Sequence, residues 1–486
     1  MLGVHARLPA PAARGRCGVH KSRASHLRTR TREGRLTVEI VLIAPRQVPA
    51  RELPYRPWRR PVFPPLALLT VAALTPPGHK VSLIDEGVQG LPDDLEADLV
   101  GITAATTTAP RAYEIADALR RRGVRVVLGG IHATALPEEA AQHADAVVIG
   151  EAEGLWPQVV ADAAAGELKK FYRNTGLPEL AGLPAPRRDL INAKKYVLPN
   201  TAQSTRGCPF DCAYCSVTAF FGRTYRTRPV DEVMDEVLTM PPGPVAFIDD
   251  NIMGNPRYAR ELFARLRDAG RKWCSQASVT MLKTPDLIAS AAESGCVLLF
   301  VGLETLSQQN LDAVGKHINT VEEYKRLVKV LHDHGVAIVG SFMFGLDDDD
   351  PDVFDRTVEF ALDARIDASL MSILTPLPGT RLYAELERQG RIFDRDWSHY
   401  DGAHATFRPA KMTPDQLVEG LIRAVRSFYS GWSIVRRMFQ PLGLSLVYWV
   451  TNLRWRRYAI SWANARERLA VAEAVAGGAG TPPMST

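Results

Sequence analysis

Apolar residues fall in short blocks along the first third of this chain, and the blocks alternate with stretches of helical period. Residues 38–43, 80–85, 99–104, 124–128 and 146–149 are runs rich in Val, Ile and Leu, of the length of buried strands. Between them, residues 66–74 and 111–121 place apolar side chains at helical spacing, and another helix is expected after residue 150. Strands separated by helices build a parallel sheet covered on both faces. The five strands predict a doubly wound, flavodoxin-like α/β domain over residues 37–166. Such a domain takes its ligand outside the carboxyl ends of the strands.

The rhythm stops over residues 167–200, where Pro178, Pro184, Pro186 and Pro199 mark a linker. A second series then begins, with strands expected at 203–206, 244–248, 273–278, 297–302, 336–344 and 368–374 and helices such as 258–269 and 321–334. Six βα units over residues 201–376 predict a partial TIM-type barrel, (β/α)6, with its functional loops at the strand C-termini. Beyond Pro376 the repeat breaks again. A polar, aromatic stretch with Trp397, His399 and Tyr400 leads into a helical C-terminal region, residues 377–473, with the helix expected from Pro414 to about Glu473. Residues 474–486, rich in Ala and Gly, are expected to be disordered.

Charge alters this outline only at the start. The formal net charge is +5, and residues 1–35 alone carry nine Arg or Lys against Glu33. That segment has no amphipathic period and no apolar core of a leader, so residues 1–36 read as a basic disordered extension. The remainder is close to neutral, and nothing in it calls for nucleic acid. No apolar run reaches the ~18 residues of a spanning helix, which points to the cytoplasm. Six cysteines in 486 residues do not make a disulfide scaffold. Cys17, Cys274 and Cys296 stand alone, as small apolar or surface residues; the other three lie within one loop.

That loop reads Thr205-Arg206-Gly207-Cys208-Pro209-Phe210-Asp211-Cys212-Ala213-Tyr214-Cys215. Three thiolates at Cys-x-x-x-Cys-x-x-Cys spacing can ligate three irons of a cubane cluster and leave the fourth open. The open iron can chelate the amino and carboxylate groups of S-adenosylmethionine (SAM), and Tyr214 can pack over its adenine. A structural zinc site is the competing reading, but it needs four ligands and no fourth lies close in sequence.

The loop, its place after the first barrel strand and the motifs downstream resemble the radical SAM superfamily, and more narrowly its members with an N-terminal cobalamin-binding domain. The resemblance covers about residues 37–435. It implies a 4Fe–4S cluster on Cys208, Cys212 and Cys215, and SAM contacts from several strand ends. Asp249, Asp250 and Asn251 close the second barrel strand, Gln276 and Ser278 the third, Glu304 the fourth, and Gly345 the fifth. The acidic run Asp347–Asp350 that follows is expected to be a solvated loop capping a helix from Pro351.

In the first domain the candidate ligand loops are residues 44–51, 104–108, 129–133 and 150–154. Gly129-Gly130-Ile131-His132 and Gly150-Glu151 resemble the loops that grip the corrin and its nucleotide tail in cobalamin-binding domains. Glycines suit close approach to a large flat ligand. The Asp-x-His-x-x-Gly motif, whose His takes the lower face of cobalt, is absent. His132 is either a ligand contact or a hydrogen-bonded turn residue.

With both cofactors the resemblance implies a division of labour. One SAM yields a 5′-deoxyadenosyl radical that removes hydrogen from an unactivated carbon. Methylcobalamin then supplies the methyl group, and a second SAM restores it. The expected activity is therefore a C-methyltransferase, with cyclisation or rearrangement without methyl transfer, or a non-catalytic sensor, as rivals. An electron donor such as flavodoxin or ferredoxin is implied. Leu374-Thr375-Pro376-Leu377-Pro378-Gly379-Thr380, Gly390-Arg391-Ile392 and Ser427-Phe428-Tyr429 resemble a C-terminal region found in a subset that includes the hopanoid methylases. Residues 439–458 are apolar and aromatic with flanking arginines, a composition suited either to a membrane interface or to a helix across the barrel mouth. A small-molecule or lipid-like substrate and a peripheral membrane contact follow as expectations.

Overall fold

The computed structural model describes residues 37–47, 60–438, 449–457, 460, 461 and 464. The described residues from Val38 onward belong to one unit. The Val- and Ile-rich blocks form the strands β1 (Glu39–Ala44), β2 (Lys80–Asp85), β3 (Leu99–Thr103), β4 (Arg125–Gly129) and β5 (Ala146–Ile149), all parallel. A sixth strand, β6 (Phe171–Arg173), pairs with β5 inside the stretch read as linker. It has three residues, and only Tyr172 is buried, too short a pattern to stand out in sequence.

The order β2-β1-β3-β4-β5-β6 is that of a flavodoxin-like sheet extended by one strand. Its two faces bury separate cores, with Val41 and Ile43 on one side and Ile40 and Leu42 on the other. The helices Leu66–Ala73 and Trp156–Ala165 cover the second face and Ala109–Arg121 the first.

The second sheet is also parallel and open. It runs β7 (Thr201–Ala202), β10 (Val245–Phe247), β11 (Trp273–Ala277), β12 (Cys296–Glu304), β13 (Ala337–Phe344) and β14 (Ala368–Ile373), in sequence order from one edge to the other. The strand expected at 203–206 is divided. Thr201 and Ala202 pair with β10, whereas Thr205 and Arg206 form β8 (Thr205–Arg206), antiparallel to β9 (Arg226–Thr227). The chain turns between them because the Asp249 carboxylate collects the backbone N–H groups of Ser204 and Thr205 and both hydroxyls.

The C-terminal helix Pro414–Phe428 starts at a Thr413/Gln416 capping box and packs its Leu417, Leu421 and Phe428 into the barrel core. It ends at Phe428, and Gly431–Arg436 is a separate short helix, so the expected continuous helix from Pro414 is broken. Residues 449–457 are helical again; of the apolar stretch 439–458, residues 439–448 and 458 lie outside the described residues, as does Cys17. No helix among the described residues is long and apolar enough to cross a membrane.

Candidate active site

The cysteine loop links β8 to the helix Ser216–Phe221, and its shape is set from several directions. Gly207 has φ +84°, and a Cβ there would collide with the Thr224 carbonyl, so only glycine passes. The Gly207 N–H donates to Asp250 Oδ2 at 2.9 Å. Cys215 N–H bonds Cys212 O at 3.1 Å, Ala213 N–H bonds Val314 O at 2.9 Å, and Leu382 N–H bonds Ala213 O at 3.0 Å. Arg381 adds bonds to the carbonyl and carboxylate of Asp211. Distant segments thus grip a loop whose own residues make few bonds.

All three thiols are half-buried. Burial pushes Cys208 up to about 11, with the neighbouring Cys215 and Cys212 adding to the rise; Cys212 is raised by the same cause. No group of three or more His, Cys, Asp or Glu among the described residues is arranged to hold a single metal ion. Three thiols on one loop, each partly open, are the donor set of a cubane cluster with one open iron, so the chemistry of the loop fits a cluster.

Around the loop the strand ends behave unequally. Asn251 is 1% exposed, its Nδ2 bonds Ser278 Oγ at 3.2 Å, and its Oδ1 is buried with no partner, an orphaned acceptor of the kind a polar ligand satisfies. Gln276 exposes its side chain at the end of β11. Glu304, in left-handed backbone at φ +70°, pairs with buried Lys316, and the hydroxyl of Tyr214 reaches its carboxylate. Lys316 also lies 6.0 Å from the Tyr214 ring.

Two expected contacts turn away. Asp249, just after β10, is fully buried with its carboxylate in the turn between β7 and β8, and burial, against four hydrogen bonds, lifts it to about 6. Gly345 donates its N–H to Asp349 at 2.9 Å, and a Cβ there would stand 3.0 Å from Leu417, so its missing side chain admits the C-terminal helix.

The acidic run is not simply solvated. Asp349 is 2% exposed and also accepts from Leu346 N and Asn310 Nδ2, whereas Asp347 pairs with Arg391 and Asp348 with Lys411. The helix after it starts at Val353. A buried carboxylate here ties the turn after β13, which composition alone did not reveal.

On the first domain a cavity of about 260 Å³ opens at the carboxyl ends of β1, β3, β4 and β5. Gly129, Gly130, Gly150 and Glu151 line it, with Leu42, Val71 and Trp156 among its apolar walls. Gly130 has φ +96°, and a Cβ would lie 2.8 Å from Ala104 O and Thr103 Oγ1. The far wall comes from the barrel: Gln203, Arg206, Phe220, Phe221 and Ile248. An apolar slot with a glycine rim fits a large flat cofactor with a buried aromatic tail.

His132 is not on that wall. It is 1% exposed, with Nδ1 3.4 Å from Thr106 Oγ1 and Nε2 3.3 Å from Glu139 Oε1. Glu139 Oε1 also accepts from Tyr113 at 2.9 Å and from Trp397 Nε1 at 3.0 Å. Burial opposes the charge on Glu139, but these donors outweigh it and hold the carboxyl below its ordinary range. His132, in the short helix Ile131–Ala135, is spent on these hydrogen bonds, and its ring contact with Trp397 joins the first domain to the C-terminal region.

Glu151 proves more than a rim residue. Its side chain, 3% exposed, accepts from Arg206 and from Arg226 at 2.5 Å each, while Arg206 reaches Glu153 at 2.6 Å. Burial works against the Arg206 charge, and Glu153 and Glu151 together overcome it to raise its pKa. This buried four-charge cluster binds the loop after β5 to the strand that enters the cysteine loop. Sequence reading passed over Arg206, Arg226 and Glu153; the one available signal was an arginine two residues before the first cysteine.

A model of the radical SAM superfamily matches residues 203–361, and one of the B12 binding domain matches residues 59–160. The chain is 34% identical over 406 residues to bacteriochlorophyllide d C-12(1)-methyltransferase of Chlorobaculum tepidum, covering 81% of this chain and 88% of that protein. The chain belongs to the radical SAM superfamily. Within it, the B12-binding domain places the chain in the cobalamin-binding branch, and its cofactors are the 4Fe–4S cluster, SAM and cobalamin. Bacteriochlorophyllide d C-8(2)-methyltransferase of the same organism is 30% identical over 432 residues, 84% of this chain and 95% of that one. Among solved structures, the radical SAM methyltransferase TsrM of Kitasatospora setae, with cobalamin and a 4Fe–4S cluster bound, superposes with TM-score 0.62 at 16% identity. It covers 89% of this chain and 100% of that chain, and the likeness is one of fold.

Proposed function

We propose that this radical SAM enzyme is a cobalamin-dependent C-methyltransferase that acts on an unactivated carbon of a large, apolar small molecule of the chlorophyllide class. The observation that carries the reading is the shared wall. One cavity is lined both by the glycine loops of the B12-type sheet and by Arg206, Phe220 and Phe221, which flank the cysteine loop. The substrate class rests on the two bacteriochlorophyllide methyltransferases, and it narrows the small-molecule or lipid-like substrate expected from the sequence.

When bound, the cluster and cobalamin supply an electron for the SAM sulfonium and a transferable methyl group. The chain's own residues have definite tasks in this reading. Cys208, Cys212 and Cys215 hold the cluster, and Gly207 and Asp250 keep their loop in shape. Asn251, Ser278, Gln276 and the Glu304–Lys316 pair bind and orient SAM beside Tyr214. Gly129, Gly130 and Gly150 let the backbone approach the corrin, and the Glu151–Arg206 cluster fixes the spacing between the two sites. A low-potential flavodoxin or ferredoxin delivers the electron in the cytoplasm. In this reading residues 37–166, with β6 added, form the cobalamin-binding domain and residues 201–376 the radical SAM barrel.

The test is cofactor content after strictly anaerobic purification from cobalamin-fed cells, followed by turnover with a bacteriochlorophyllide. About four iron per chain together with one corrin is expected, and S-adenosylhomocysteine and 5′-deoxyadenosine should form in step. Iron without corrin, or 5′-deoxyadenosine without S-adenosylhomocysteine, overturns methyl transfer. A Cys212→Ser chain that keeps its iron overturns the cluster assignment.

A further inference from the structure

Residues 449–457 form a helical stretch against the short helix Gly431–Arg436. The guanidinium of Arg456 lies 3.6 Å from where a Cβ on Gly431 would stand, and Trp455 stacks on Tyr429 at 5.8 Å. Arg437, 1% exposed, fastens the pair to the barrel by donating to Asp367 O, Phe428 O and Asn452 Oδ1. The inner faces of both helices are therefore committed.

Their outer faces are a different surface. Trp432 is 76% exposed, Val435 45%, Leu453 41% and Ile460 43%. These are four of the ten large apolar side chains exposed among the described residues; Trp432 and Val435 lie on Gly431–Arg436, Leu453 on the 449–457 stretch and Ile460 a few residues beyond it. Arg436, Arg456 and Arg457 are exposed between them, at the same helical spacing. Residues 431–461 contain five arginines and no acid.

We propose that this face docks on an anionic lipid bilayer. Tryptophan and aliphatic side chains enter the headgroup–acyl boundary, and interleaved arginines meet the phosphates. Other occupants fit less well. A second copy seated face to face would set arginine against arginine, and the core of a protein interface is depleted in charge. The surface is independent of the cofactor chemistry proposed above, so either reading can fail alone.

The test is flotation of the full chain with vesicles of phosphatidylcholine, with and without one third phosphatidylglycerol. Binding to the anionic vesicles is expected, weakening with added salt. Trp432→Ser should lower partitioning by roughly tenfold. Arg456→Gln with Arg457→Gln should lower it about 30-fold on anionic vesicles, since each basic group near such a surface contributes about fivefold. Iron content and unfolding midpoint should match the parent chain in both variants. Failure to bind anionic vesicles overturns the proposal, as does binding that both variants retain unchanged. A dimer that Trp432→Ser converts to monomer also overturns it, in favour of a second copy on this face.

Discussion

Replacing Glu151 by Gln tests the joint between the two halves of the site. Glu151 keeps its volume in this change but loses its charge, and its side chain is 3% exposed with two guanidinium groups at 2.5 Å. Breaking a buried ion pair costs about 3–5 kcal/mol, because the stranded partner stays desolvated. Arg206 retains Glu153 at 2.6 Å and Gln203 at 2.9 Å, so the lower end applies, about 3 kcal/mol. That is a large share of the ~5–15 kcal/mol that holds a domain folded. Urea unfolding of the cofactor-free chain reads the loss without linkage to ligand binding. Arg206→Met and the double variant complete a cycle, whose coupling should lie at about 0.5–3 kcal/mol. In turnover, Glu151→Gln should raise 5′-deoxyadenosine relative to methylated product, since a shift of the cysteine loop misplaces the reacting groups. A loss under about 0.5 kcal/mol with additive effects would refute the reasoning.

Three further outcomes are expected. Gly130→Ala should fold poorly or lose corrin on purification, because its Cβ would stand 2.8 Å from Ala104 O in left-handed backbone; a variant with full corrin content would free that position of its assigned role. Asp349 is raised from 3.8 to about 6 by burial, so the folded chain binds its proton more tightly than the unfolded one between those values. Its stabilising contribution is largest below that window and falls by roughly 3 kcal/mol as pH rises through it. The stability difference between the parent chain and Asp349→Asn should therefore shrink from pH 4 to pH 7, and a pH-independent difference in denaturant midpoints would contradict the assignment. Trp397→Phe should cost about 1 kcal/mol for the bond to Glu139, and Trp397→Ala about 3 kcal/mol or more with the packing on His132 and Tyr400; a Trp397→Phe chain as heat-stable as the parent would mean that the indole N–H is immaterial, and equal losses in the two variants that the ring packing is.

Much of the outline was legible because apolar blocks and glycine stops are local signals. The strands β2 and β5 lie at the residues where the pattern placed them, and β10 to β14 within a few residues. The missed strand β6 has one buried residue, and β8 separates from β7 only through the carboxylate of Asp249, 44 residues away in the chain. The cysteine loop was legible for the same reason as the strands: its spacing is a local property. The roles of Asp249, His132 and Gly345 were not, since a polar or glycine residue at a strand end reads alike whether it faces a ligand or a neighbouring segment.

The sequence by itself determined the two α/β series, the three-thiol loop at the start of the second and the family to which they belong. Only the tertiary structure decided which polar residues are available to ligands and which are spent on holding loops. Glu151 and Arg206 are 55 residues apart, and Glu139 and Trp397 are 258 apart, yet each pair shares a hydrogen bond. Periodicity reports which face of an element is buried. It carries no information on which distant charge is buried with it, and that pairing is what the desolvation of a charge requires.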